Sequence, residues 1–218
     1  MLNGPEQSPP SGNVKKLIVF LHGYGADGHD LIGLSPYFQA LLADALCIAP
    51  HGPDPTDMGF GRQWFSLRGW QPGDNWPEQA WDEVVARSQQ INIFIDAQKD
   101  KYGLADSDIA LVGFSQGTMM SIQTALRRAA PIAGIVGYSG AVLQPHRLAG
   151  DVQSRPPMLL IHGDQDPIVP FAELAAGEKA LQQMNVSVRT LVCPGLPHGI
   201  DDRGIAAGAQ FLLDRLLL

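Results

Sequence analysis

Short, mostly continuous apolar runs alternate with longer stretches of helical periodicity along this chain, and that alternation restricts its fold more than any other feature. Lys16–Leu21, Ala45–Ala49, Ile109–Gly113, Ile132–Tyr138, Met158–Ile161 and Ser187–Cys193 read as strands. A strand with one wet face alternates apolar and polar residues, whereas continuous runs require cover on both faces of the sheet. The clearest helical stretch is Glu78–Lys101, where Trp81, Val84, Val85, Ser88, Ile91 and Ile95 fall on one face. Others run from about Asp30 to Ala43, Gln116 to Ala129, Phe171 to Met184 and Ile205 to Leu217. The pattern predicts an α/β fold, a mainly parallel sheet with helices on both faces and right-handed crossovers. In such a sheet, reactive groups gather at the carboxyl ends of the strands.

The 218 residues suffice for one domain, expected over residues 14–218. Met1–Asn13, rich in Pro, Gly and Ser, reads as a flexible N-terminal arm without the apolar centre of a signal peptide. A net charge of −7 with no Lys/Arg run argues against nucleic acid as a partner and favours a neutral or apolar small molecule. No segment has the apolar length for stable membrane insertion. Cys47 and Cys193 each lie in an apolar run and read as buried, reduced thiols, so the expected location is cytoplasmic.

Pro50 to Pro77 breaks the alternation with prolines, glycines and the aromatics Phe60, Trp64, Phe65, Trp70 and Trp76. Its rings either cover the end of the sheet as ordinary core or form a substrate-binding wall or lid. Exposed aromatics around Trp70 and Trp76 would also offer a surface for a homodimer.

Gly113-Phe114-Ser115-Gln116-Gly117 is a G-x-S-x-G sequence placed between an apolar strand and a helical stretch. That context is the one a nucleophile elbow requires: a strained turn whose small flanking residues let strand and helix pack closely, with the serine at a helix N-terminus. A serine hydroxyl needs a base, and His198 follows the last predicted strand in a turn-forming loop. The imidazole in turn needs a carboxylate, and Asp166, fixed by Pro167, lies between the two in the α/β-hydrolase order Ser, acid, His. Asp164 reads as a turn residue bonding its own backbone. An oxyanion requires N–H donors, expected from the backbone of Gln116 and, in the glycine-bearing stretch Leu21-His22-Gly23-Tyr24-Gly25, from Leu21. His22, His51 and His162 read as structural histidines.

Five motifs in register resemble the phospholipase/carboxylesterase family, which includes the acyl-protein thioesterases. They are Leu21-His22-Gly23-Tyr24-Gly25-Ala26-Asp27-Gly28, Gly61-Arg62-Gln63-Trp64-Phe65-Ser66, the Gly113–Gly117 elbow, His162-Gly163-Asp164-Gln165-Asp166-Pro167-Ile168-Val169-Pro170 and His198-Gly199-Ile200. The resemblance implies a triad of Ser115, Asp166 and His198, an oxyanion hole from Leu21 and Gln116, and no metal or organic cofactor. It also implies an apolar acyl channel, with Trp64, Phe65 and Val169 as wall residues by position. Two departures stand out: Thr118 replaces a second glycine after the elbow, and Tyr24-Gly25-Ala26-Asp27 is similar to the bacterial carboxylesterase branch.

The expected activity is hydrolysis of carboxylic esters with short- to medium-chain acyl groups. The alternatives are a lysophospholipase or acyl-protein thioesterase acting on thioesters, and a non-catalytic binding module that keeps the scaffold.

Overall fold

The computed structural model describes residues 2–69 and 80–217. Its first half runs β1 (Glu6–Gln7), β2 (Lys16–Leu21), α1 (Gly28–Leu31), α2 (Ser35–Gln39), β3 (Ala45–Ile48), β4 (Asp54–Pro55), β5 (Arg62–Gln63) and α3 (Trp81–Tyr102). The second half runs β6 (Ile109–Phe114), α4 (Gln116–Leu126), β7 (Gly134–Tyr138), α5 (Pro145–Asp151), β8 (Met158–Gly163), α6 (Ala172–Gln183), β9 (Val188–Cys193) and α7 (Asp202–Leu216). The main sheet has the order β1-β3-β2-β6-β7-β8-β9, parallel throughout except for β1, and is the α/β architecture that the apolar runs predict.

Alternation along the central strands feeds two separate cores. In β2, Leu17, Val19 and Leu21 pack with Val84, Ile91 and Ile95 of α3 and Met119 and Ile122 of α4. Ile18 and Phe20 face the other way, onto Phe38 and the Phe211, Leu212 and Leu216 stripe of α7. The expected face of α3 is buried at Trp81, Val84, Ser88, Ile91 and Ile95, with Val85 partly covered. Gly103, at φ 66°, ends the helix in the left-handed conformation that glycine adopts without penalty.

Three local expectations differ. Residues 2–13 do not form the loose arm expected: β1 pairs with β3, Ala49 N–H donates to Pro5 O, His51 N–H to Asn3 O, and the Gln39 amide donates to the carbonyls of Gln7 and Ser8. The edge of β3 offers unpaired backbone groups, and pairing them tethers a segment whose composition alone reads as coil. The single helix expected over Asp30–Ala43 is divided into α1, a 3₁₀ turn at Ile32–Leu34 and α2, with Pro36 in the first turn of the last piece. Helix α5 buries only Leu148, too little apolar spacing to register as periodic. Trp70 and Trp76, the basis of the homodimer expectation, lie outside the described residues. No described helix is long and apolar enough to cross a membrane.

Candidate active site

Ser115 joins β6 to α4 at φ 54° and ψ −117°, a backbone state that costs a residue with a Cβ roughly 1–3 kcal/mol. Its surroundings hold it there. Ser115 N–H donates to Tyr138 O at 2.9 Å, and Thr118 Oγ lies 2.8 Å from the carbonyl oxygens of both Gly113 and Tyr138. A Cβ on Gly113 would come within 2.5 Å of Gly117 O, so strand and helix approach more closely than any other residue allows. The Thr118 methyl is accommodated by two further glycines, since a Cβ at Gly137 or Gly140 would sit 2.5 or 2.4 Å from Thr118 carbons.

The β8 and β9 loops meet beside this turn. His198 Nδ1 lies 2.8 Å from Asp166 Oδ2, and Nε2, on the other side of the ring, has no hydrogen-bond partner among the described residues. The imidazole packs against Phe114, the residue before the serine, with ring centroids 4.8 Å apart. Asp166 has a wholly buried side chain, and its Oδ1 accepts the N–H groups of Ile168 and Val169, both at 2.9 Å. These bonds anchor one oxygen of the carboxylate to the backbone. Asp164 bonds across the site instead of to its own backbone: its Oδ1 accepts Gly195 N–H at 2.7 Å and ties the acid loop to the histidine loop.

The loop after β2 closes the opposite side. A Cβ on Gly23 would stand 3.4 Å from Ser115 Cβ, so this backbone passes directly alongside the serine. Gly25 N–H donates to Arg62 O and Ala26 N–H to Gly23 O, while the N–H groups of Gly23, Tyr24 and Gln116 have no acceptor among the described residues. Leu21 is the last residue of β2, in register with Gly113 and completely buried, so its peptide belongs to the sheet and not to the loop beyond it. His22 accepts Gly52 N–H at Nε2 and donates from Nδ1 to Gly23 O, both at 2.8 Å. Burial pushes its pKa below the usual 6.5 and keeps the ring neutral. His51 Nδ1 accepts Gly28 N–H.

Trp64, Phe65 and Val169 are buried, so none of the three presents a wall to a ligand in this conformation. Trp64 donates from its indole to His22 O at 3.0 Å, and the Val169 backbone serves Asp166. The Gln116 side chain makes the bonds that sequence reasoning missed: Oε1 accepts Trp64 N–H at 2.8 Å and Nε2 donates to Phe65 O at 2.7 Å. The exposed apolar residues nearby are Met58 and Phe60, whose side-chain ends approach Gly25, and Ile168 and Phe171 beyond the acid. Among the described residues, no group of three or more His, Cys, Asp or Glu side chains is arranged to hold a metal ion.

Known proteins share this arrangement of chain. The sequence profile described as Phospholipase/Carboxylesterase matches residues 3–214. The chain is 27% identical over 211 residues to esterase YpfH of Escherichia coli, covering 95% of this chain and 84% of that protein. It is 26% identical over 219 residues to acyl-protein thioesterase 1 of Cryptococcus neoformans, covering 91% and 92% respectively. The crystal structure of esterase PE8 superposes with a TM-score of 0.92 at 33% identity, covering 99% of both chains.

Proposed function

The chain belongs to the phospholipase/carboxylesterase family, and from that premise we propose that it is a serine esterase in which Ser115, His198 and Asp166 form the catalytic triad. Ser115 Oγ attacks the ester carbonyl while His198 Nε2 takes its proton; Asp166 holds the Nδ1–H tautomer and offsets the imidazolium charge. His198 then protonates the leaving alcohol, which departs from an acyl-enzyme. Water, deprotonated by the same nitrogen, releases the acid and restores the serine. The observation that carries the proposal is the 2.8 Å Asp166–His198 bond on a ring packed beside the strained Ser115 turn.

For the oxyanion we propose the Gln116 N–H at the start of α4, with the Tyr24 N–H as the second donor. Tyr24 replaces Leu21 in this role because Leu21 lies within the sheet, whereas the Tyr24 N–H is uncommitted in the loop beside the serine. The substrates we propose are esters of short- to medium-chain acids. Burial of Trp64 and Phe65 closes off a deep channel on that side, and the exposed Met58 and Phe60 leave a shallower apolar rim.

Thioesters are a second substrate class, favoured by the relative named as an acyl-protein thioesterase. Rates on oxygen and sulfur esters of increasing acyl length separate the two: each methylene adds about 0.8 kcal/mol of binding only where a pocket receives it. Replacement of Ser115 by alanine should abolish hydrolysis of p-nitrophenyl butyrate while the protein stays folded, and full residual activity would exclude this serine.

A further inference from the structure

His162, the fifth residue of β8, is buried immediately behind the acid. Its Nε2 lies 3.0 Å from Val169 O and 3.2 Å from Asp166 Oδ2. Two acceptors within reach of one ring nitrogen place the proton on Nε2, because a bare nitrogen there would oppose lone pairs to lone pairs. Asp166 Oδ2 is thus bonded to His198 Nδ1 at 2.8 Å and has His162 Nε2 3.2 Å away, where the one Nε2 proton is divided between it and the Val169 carbonyl, while Oδ1 takes two backbone N–H groups.

We propose that His162 is a positioning residue: its N–H locks the Asp166 carboxylate in one rotamer and limits how much of the carboxylate charge reaches His198. The proposal rests on the triad reading above. A carboxylate held by backbone on one oxygen can still pivot about its Cβ–Cγ bond, and a second fixed donor on the other oxygen removes that freedom. Each donor to Oδ2 also withdraws electron density, so His162 weakens the pull of Asp166 on the His198 proton and keeps the base poised. This requires a neutral His162, since a protonated one would be a rival cation for the same oxygen.

Burial, the largest influence, lowers the pKa of His162 below its usual 6.5. The groups facing it are Asp166 and His198, the Phe171 ring 6.2 Å away, and, across a small void that Thr118 also lines, the Glu173 carboxyl of α6. Burial pushes the Glu173 carboxyl above its usual range.

Three variants test the role. H162Q carries an amide N–H at the reach of Nε2, H162N carries one that falls short of Oδ2, and H162L carries none. With p-nitrophenyl butyrate, H162L and H162N should lose about tenfold in kcat, the equivalent of one hydrogen bond to a charged group. KM should stay within about twofold, and the acid limb of the kcat/KM profile should move to higher pH. H162Q should recover most of the loss. Equal impairment of Gln and Leu, or full kcat with an unmoved acid limb in both Leu and Asn, overturns the proposal. If H162L fails to fold, the two amides carry the comparison. Ser115→Ala run in parallel separates the failures: activity in that variant defeats the triad, whereas wild-type behaviour at position 162 beside a dead Ser115→Ala defeats only His162.

Discussion

Gly117 and Leu21 are so close that a Cβ on the glycine would lie 1.7 Å from the Leu21 carbonyl oxygen and 2.7 Å from that of His22. Backbone stands on the far side of the contact, so nothing can rotate away. G117A should therefore lift the start of α4 from β2, costing about 3 kcal/mol of stability and most of the esterase activity. Thermal unfolding and p-nitrophenyl butyrate hydrolysis check it, and an alanine variant with unchanged midpoint and rate contradicts it.

The Gln116 side chain joins the elbow to the Trp64–Phe65 backbone through two buried bonds. Methionine has a similar volume and neither bond, so Q116M leaves a buried N–H and a buried C=O unpaired. The expected cost is about 2–4 kcal/mol by urea unfolding. A change below about half a kcal/mol, within the range of ordinary surface substitutions, would show that the loop does not depend on this side chain.

Thr118 supplies the hydroxyl between the carbonyls of Gly113 and Tyr138, and the Tyr138 carbonyl also receives the Ser115 N–H. T118V removes the hydroxyl at nearly constant volume and should cost about 1 kcal/mol, with a fall in kcat larger than the change in KM. G140A acts from the opposite direction, forcing a methyl against Thr118 Cβ, and should destabilise by about 1–3 kcal/mol. Crystal structures of the two variants would show whether Ser115 moves, and an undisturbed serine in both contradicts the coupling.

His22 and His162 both have pKa values lowered by burial from the 6.5 of a free imidazole. Between the lowered folded values and 6.5 the unfolded chain binds protons that the folded chain refuses, so stability falls as pH drops through this window. Urea midpoints should be level above about pH 7.5 and decline from about pH 6.5 downwards. Conversion of His22 to asparagine should lessen the decline, even if it lowers stability overall. A midpoint that rises on acidification contradicts the sign.

Strands were legible wherever both faces are buried. Lys16–Leu21 is apolar after its first residue and forms β2 over those same residues, because each side chain enters one core or the other. Structure that depends on backbone pairing was not legible: β1 has two exposed residues and exists because β3 has a free edge. At the candidate site, the residue types and order pointed to Ser115, Asp166 and His198, since an elbow and its strand-end partners carry a local signature.

The supporting bonds had no such signature. The sequence predicts that Asp164 bonds within its own turn, yet its partner, Gly195, lies in another loop. Trp64 and Phe65 read equally well as wall or core, and the Gln116 bonds that draw their backbone inward depend on contacts between residues far apart in the chain.

Fluorophosphonate labelling tests the convergence of serine, imidazole and carboxylate most directly, because the probe reacts only with an activated alcohol. Followed by mass spectrometry, the wild-type protein should gain one adduct, on the peptide containing Ser115, and His198→Ala should slow its formation by at least about a thousandfold. An adduct on another residue, or an undiminished labelling rate without His198, would contradict it.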